Sequence, residues 1–106
     1  MEELTAANCP NMVQLVESFT TQQDYVIITH YMQSGNLFHY VCAQPSQPLD
    51  EDLTKSIIRQ VATGIQAMHR RNIIHKDIKI ENILMTNLTR KAQVKIADFG
   101  SAEKLV

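Results

Sequence analysis

Apolar residues recur along this chain at two different periods, and the switch between them divides it into a strand-like first part and a helical second part. From Met12 to Phe19, Val13, Leu15 and Phe19 stand among polar neighbours in rough alternation; the polar run Thr20-Thr21-Gln22-Gln23-Asp24 follows, and then Tyr25-Val26-Ile27-Ile28. Two adjacent antiparallel strands are the simplest reading. The second is β-branched almost throughout, as a strand buried on both faces would be. Thr29 to Asn36 leaves this pattern, and Gly35 permits a backbone turn before one short helix over Leu37-Phe38-His39-Tyr40-Val41-Cys42. Pro45 and Pro48 then punctuate a linker, because neither is tolerated inside a helix.

Beyond the linker, Leu53, Ile57, Val61, Ile65 and Met68 recur at intervals of four, four, four and three, which places one apolar stripe against a core. Asp50 fits the N-cap of this helix, Glu51 and Asp52 put negative charge in its first turn, and His69, Arg70 and Arg71 put positive charge in its last. Lys55, Arg59, Gln60 and Gln66 are left to water. Gly64 is either a small destabilisation or a close packing contact, and Asn72 suits a C-terminal stop. Further on, Ile83-Leu84-Met85 and Val94-Lys95-Ile96-Ala97 read as a hairpin of short strands around the polar run Thr86 to Gln93. Upstream, Glu2 to Ala7 are helix formers apart from Thr5, so the tail of a helix is expected before the turn at Asn8-Cys9-Pro10-Asn11. Ser101 to Val106 carries no period long enough to classify.

With 106 residues and a hydrophobic fraction of 44%, one compact unit is expected. Ten basic residues against eleven acidic ones create no global field for nucleic acid or an anionic membrane, so any nucleotide must be recognised locally. Cys9 and Cys42 have neither metal-ligand spacing nor the density of a disulfide scaffold, which fits a reducing, intracellular compartment, cytoplasmic or nuclear. Met1-Glu2-Glu3 is acidic where a secretory signal would be basic, and no apolar run approaches a bilayer span. His30 and His39 have no ligand spacing for a transition metal.

The chemistry is concentrated in Ile74-His75-Lys76-Asp77-Ile78-Lys79-Ile80-Glu81-Asn82-Ile83-Leu84, with Asp98-Phe99-Gly100 following the second hairpin. Two carboxylates, an amine and an amide at fixed intervals can hold metal ions and a phosphoryl group around a hydroxyl nucleophile. The spacing D-x-x-x-x-N from Asp77 to Asn82, with Lys79 two residues after the aspartate and Asp-Phe-Gly after a strand, resembles the protein kinase family. The order of strand pair, hinge, short helix and long helix extends that resemblance over essentially the whole chain.

The resemblance implies an α+β fold, part of a bilobal kinase domain: residues 1–31 the end of the N-lobe, 32–36 the hinge, and 37–106 the start of the C-lobe through Asp-Phe-Gly. It implies phosphoryl transfer from ATP, with Mg2+, to serine or threonine hydroxyls of a protein substrate, since lysine two residues after the aspartate is the serine/threonine pattern. Asp77 would orient the hydroxyl and accept its proton, and Lys79 would place positive charge beside the γ-phosphate. Asp98 and Asn82 would be the magnesium ligands. Thr29 corresponds to the gatekeeper, and the backbone of His30 and Met32 would bind adenine. Leu84 would form the floor beneath that ring and Asn36 would lie near the ribose. His75, Phe99, Leu15 and Leu4 would stack into an apolar column.

Two departures stand out. Lys76 occupies a position where most members carry arginine, a residue better suited to bidentate contact with a phosphorylated loop. No glycine-rich phosphate loop or strand lysine precedes Pro10, the partner glutamate falls just before Met1 although Glu2 and Glu3 lie close, and most of the activation segment is absent after Val106. A segment of this kind by itself is expected to be marginally stable, prone to associate, and inactive. The alternative to an enzyme is a non-catalytic kinase-like fragment acting as a protein-binding module through exposed apolar surface.

Overall fold

A computed structural model describes residues 9–43, 50–87 and 91–105 of the chain. In chain order its elements are β1 (Leu15–Thr20), β2 (Tyr25–Thr29), α1 (Leu37–Cys42), α2 (Glu51–Arg70), β3 (Ile73–Ile74), a 3-10 turn (Ile80–Asn82), β4 (Ile83–Met85), β5 (Val94–Ile96) and β6 (Glu103–Lys104). This is an α+β arrangement, consistent with part of a protein kinase fold. Its strands pair as antiparallel ribbons, β1 with β2, β3 with β6 and β4 with β5. The helix-tail expectation over Glu2 to Ala7, Leu4 of the apolar column, Glu2 and Glu3, the Pro45–Pro48 linker, residues 88–90 and Val106 lie outside the described residues.

The amphipathic helix α2 organises the larger part. Leu53, Ile57, Gly64 and Met68 are its buried residues, while Val61 and Ile65 are only partly buried against the same core. The stripe thus turns about Gly64. A Cβ built there would stand 3.0 Å from Ile96 Cδ1 and 3.2 Å from the Asn11 carbonyl oxygen, so the glycine is a close packing contact. Leu37, Ile83, Met85, Ala92, Val94 and Ile96 complete the main core with Leu53 and Ile57. A second cluster gathers Cys9, Met12, Met68 and Ile73, and Phe99 packs against both.

Gln60 does not face water. Its Oε1 accepts from Asn11 Nδ2 (3.1 Å) and from the Val94 N–H (2.9 Å), and its Nε2 donates to the Ala92 carbonyl and to Ser56 Oγ (3.1 Å each). Asn11 Nδ2 also donates to the Val94 carbonyl (2.9 Å), and the Ile96 N–H donates to the Asn11 carbonyl (2.8 Å). One amide therefore ties α2 to β5 and to the strand leading into β1, because only a side chain with both a donor and an acceptor satisfies the polar backbone groups gathered there. Asp50 occupies the N-cap position of α2 without a side-chain capping bond; its carbonyl instead accepts from the Thr54 N–H (2.9 Å) and Thr54 Oγ1 (3.0 Å).

The β1–β2 ribbon corrects a second expectation. Tyr25, Ile27 and Ile28 are 60%, 51% and 40% exposed, so β2 is not buried on both faces. Among the described residues no third strand joins this ribbon, and a two-stranded ribbon cannot cover its own faces. β3, β6 and the 3-10 turn go beyond the periodicity of the sequence, since elements of two or three residues carry no measurable period. Among the described residues no helix is long and apolar enough to cross a membrane.

Candidate active site

The chain leaves α2 through Asn72, whose φ of 59° turns it into β3 and delivers His75 to the interior at 4% exposure. Hydrogen bonds to backbone groups on either side of the ring then hold the loop that comes after it. The Asp77 N–H donates to His75 Nδ1 (3.1 Å), so that nitrogen is the acceptor and Nε2 carries the hydrogen, which it donates to the Ala97 carbonyl (2.8 Å). The Phe99 ring meets the same imidazole edge-on at 5.1 Å.

Asp77 is held from two directions. Asn82, buried at 7% exposure, donates through Nδ2 to the Asp77 carbonyl (2.9 Å) and to Asp77 Oδ2 (3.2 Å). Lys79 Nζ lies 3.5 Å from Asp77 Oδ1. The Asn82 N–H donates to the Lys79 carbonyl (2.9 Å) across the 3-10 turn, and this tight turn brings all three residues into contact.

Asp98 reaches this group through its preceding residue, since the Ala97 N–H donates to the Asn82 carbonyl (2.8 Å). Asp98 itself has φ 58°, and its Oδ1 accepts from the Gly100 N–H at 3.3 Å. Ala97 thus bonds His75 through its carbonyl and Asn82 through its amide. No sequence signal could reveal that role, because only the backbone performs it.

The residues that the sequence reading expects to face a nucleotide lie along another path. Thr29, half-buried at the end of β2, pairs with Leu15 and donates its hydroxyl to the His30 carbonyl (3.3 Å). The His30 N–H is engaged with the Gln14 carbonyl (3.1 Å), and a turn closed from the Gly35 N–H to the Met32 carbonyl (3.1 Å) follows, with Gly35 at φ 76°. The Met32 N–H has no hydrogen-bond partner among the described residues. The Met85 N–H donates to the Gly35 carbonyl (2.9 Å), and Asn36 bridges to Leu84, which seats the turn on β4. Asn36 Oδ1 is used in capping α1, accepting from the His39 N–H at 2.8 Å. Among the described residues no hydrogen bond or ion pair joins Thr29, His30 or Met32 directly to Asp77 or Asp98.

The donor chemistry suits a hard cation. Both bonds from Asn82 Nδ2 go to Asp77, which turns Asn82 Oδ1 away as an oxygen donor, and Asp98 adds an exposed carboxylate one residue beyond Ala97. One amide oxygen and one carboxylate match magnesium, which keeps waters and phosphate oxygens for the rest of its shell. Among the described residues no group of three or more His, Cys, Asp or Glu side chains is placed to hold a metal ion.

The model of the family described as "Protein kinase domain" matches residues 1–106. NUAK family SNF1-like kinase 1 of Homo sapiens is 31% identical over 100 residues, 94% of this chain, and the protein of that name in Mus musculus matches at the same identity and coverage. The chain spans 14% of the length of each of these relatives.

Proposed function

The chain belongs to the protein kinase family, and from that premise we propose that the protein carrying it transfers the γ-phosphoryl group of ATP to serine and threonine hydroxyls of protein substrates inside the cell. Residues 1–31 then belong to the N-lobe, 32–36 form the hinge, and 37–106 open the C-lobe. The observation that supports this reading best is the contact set of Asp77, Asn82 and Lys79 within one turn of chain, tied through Ala97 to Asp98.

Asp77 would accept the proton of the attacking hydroxyl. Its carboxylate is oriented by Asn82 and faced by Lys79, so it is pre-positioned without rearrangement. Lys79, half-exposed and 3.5 Å from that carboxylate, can swing its ammonium between Asp77 and the charge developing on the phosphoryl group. Asn82 and Asp98 would hold magnesium, which supplies neutralisation of the phosphate charges when bound. The His30 carbonyl and the Met32 N–H would take the adenine edge, with Thr29 behind it, Leu84 beneath it and Asn36 toward the ribose.

The test is Asp77→Asn in the full-length protein. Peptide phosphorylation is expected to fall by roughly two to four powers of ten, with nucleotide affinity retained. Undiminished transfer would refute the role of Asp77, and a protein that never transfers phosphate but still captures a partner would favour a binding module.

A further inference from the structure

One contact near the site is made by neither the proposed catalytic group nor the core. Lys76 Nζ lies 3.0 Å from Glu103 Oε2, joining the residue just before Asp77 to the strand that follows Asp98-Phe99-Gly100. Lys76 has φ 72°, a left-handed conformation that costs a side chain with a Cβ and persists only where neighbouring contacts over-determine it. Those contacts are present on both sides. His75 is bonded to the Asp77 N–H and to Ala97, and the Ile74–Glu103 pairing of β3 with β6 sets Glu103 close to Lys76.

β6 is short. Its ladder comprises Ile73 with Lys104 and Ile74 with Glu103, extended by the Leu105 N–H to the Asn72 carbonyl at 2.6 Å. A two-stranded ribbon this short is marginally stable by itself, so a side-chain contact at its first residue adds materially to its hold. We propose that the Lys76–Glu103 ion pair is a positioning device that fixes the segment after Asp98 against the loop bearing Asp77, and so sets the distance between the two carboxylates. The inference deepens the proposed kinase reading, and rests on it for its effect on turnover but not for its effect on β6.

Both side chains are about half exposed, 49% and 57%, so the pair is screened by salt and its contribution is modest. In the full-length protein, Glu103→Gln is expected to lower kcat about two- to five-fold with KM for ATP unchanged. The exchange Lys76→Glu with Glu103→Lys is expected to restore much of the loss, and high salt to lower kcat of the unmodified protein toward that of Glu103→Gln while leaving the variant nearly unaffected. Amide hydrogen exchange at Glu103, Lys104 and Leu105 is expected to quicken in Glu103→Gln and to slow again in the charge exchange. Equal exchange rates in the unmodified protein and Glu103→Gln would overturn the proposal, as would a salt response common to both. If the unmodified protein transfers no phosphate, the kinase reading fails and the exchange rates alone decide the role of the pair.

Discussion

Lys76 and Asp98 both take positive φ, 72° and 58°; Lys76 directly precedes one of the two carboxylates, and Asp98 carries the other. An aspartate tolerates such a turn, but nothing in the residue type announces the one at Lys76, because left-handed positions are usually marked by glycine, asparagine or aspartate, as at Gly35, Asn11 and Asn72. Gly64 shows the opposite case, a glycine whose role is space and not conformation. Adding a methyl group would gain about 1 kcal/mol of helix propensity, but the new Cβ would press on the Asn11 carbonyl, which is bonded to the Ile96 N–H and cannot retreat, and on Ile96 itself, which is 0% exposed. Overpacking of this kind costs about 1–3 kcal/mol, so it outweighs the gain. Gly64→Ala is expected to lower stability by a net amount of up to about 2 kcal/mol, read from the midpoint of urea unfolding; a stabilised variant would show that the helix and Asn11 can separate.

At the scale of elements, α1, α2 and the β4–β5 hairpin are legible in the sequence because each repeats its apolar period or is bounded by turn residues. β3 and β6 are not, since pairing between two-residue strands is a tertiary event. Gln60 misleads for a different reason: a polar residue beside an apolar stripe is ordinarily solvated, and only the arrival of Asn11, Ala92 and Val94 gives its amide four partners with Ser56. The side chains of Asp77, Lys79 and Asn82 can be named from sequence because a motif carries them, whereas the linking role of Ala97 belongs to its backbone and the pairing of Glu103 depends on register. Gln60→Leu keeps the volume but strands the Val94 N–H and the Ala92 carbonyl, each costing about 1–3 kcal/mol when left unsatisfied. The variant is expected to lose about 2–6 kcal/mol, measured as a fall in Tm, with α2 still helical by circular dichroism. A change of a few tenths would mean that water replaces the amide.

At the scale of the whole molecule, the described residues divide into a well-packed body around α2 and a ribbon that is apolar on both sides. The β1–β2 register sets Phe19 against Val26 on one face and Ser18 against Ile27 on the other, and Val16, Tyr25, Ile27 and Tyr31 are each more than half exposed. The radius of gyration, 14.6 Å, exceeds the roughly 13 Å of a compact chain of about 100 residues, in keeping with a projecting ribbon. Each large side chain left in water forgoes roughly 1.5–3 kcal/mol. The 106 residues made by themselves are therefore expected to self-associate, with sedimentation velocity showing species heavier than the 12.1 kDa chain that shrink when Tyr25→Lys and Ile27→Thr are combined. A single monomeric boundary at high concentration would contradict this.

The imidazole of His75 is fastened at both nitrogens, to the peptide of Asp77 on one side and to the peptide preceding Asp98 on the other. A ring is rigid, so drift in either loop is passed to its neighbour. Motion of one loop is therefore expected to carry the other with it, so that the gap between Asp77 and Asp98 varies less than the location of either in the molecule. Two instruments bolted to one bench keep their alignment while the floor moves.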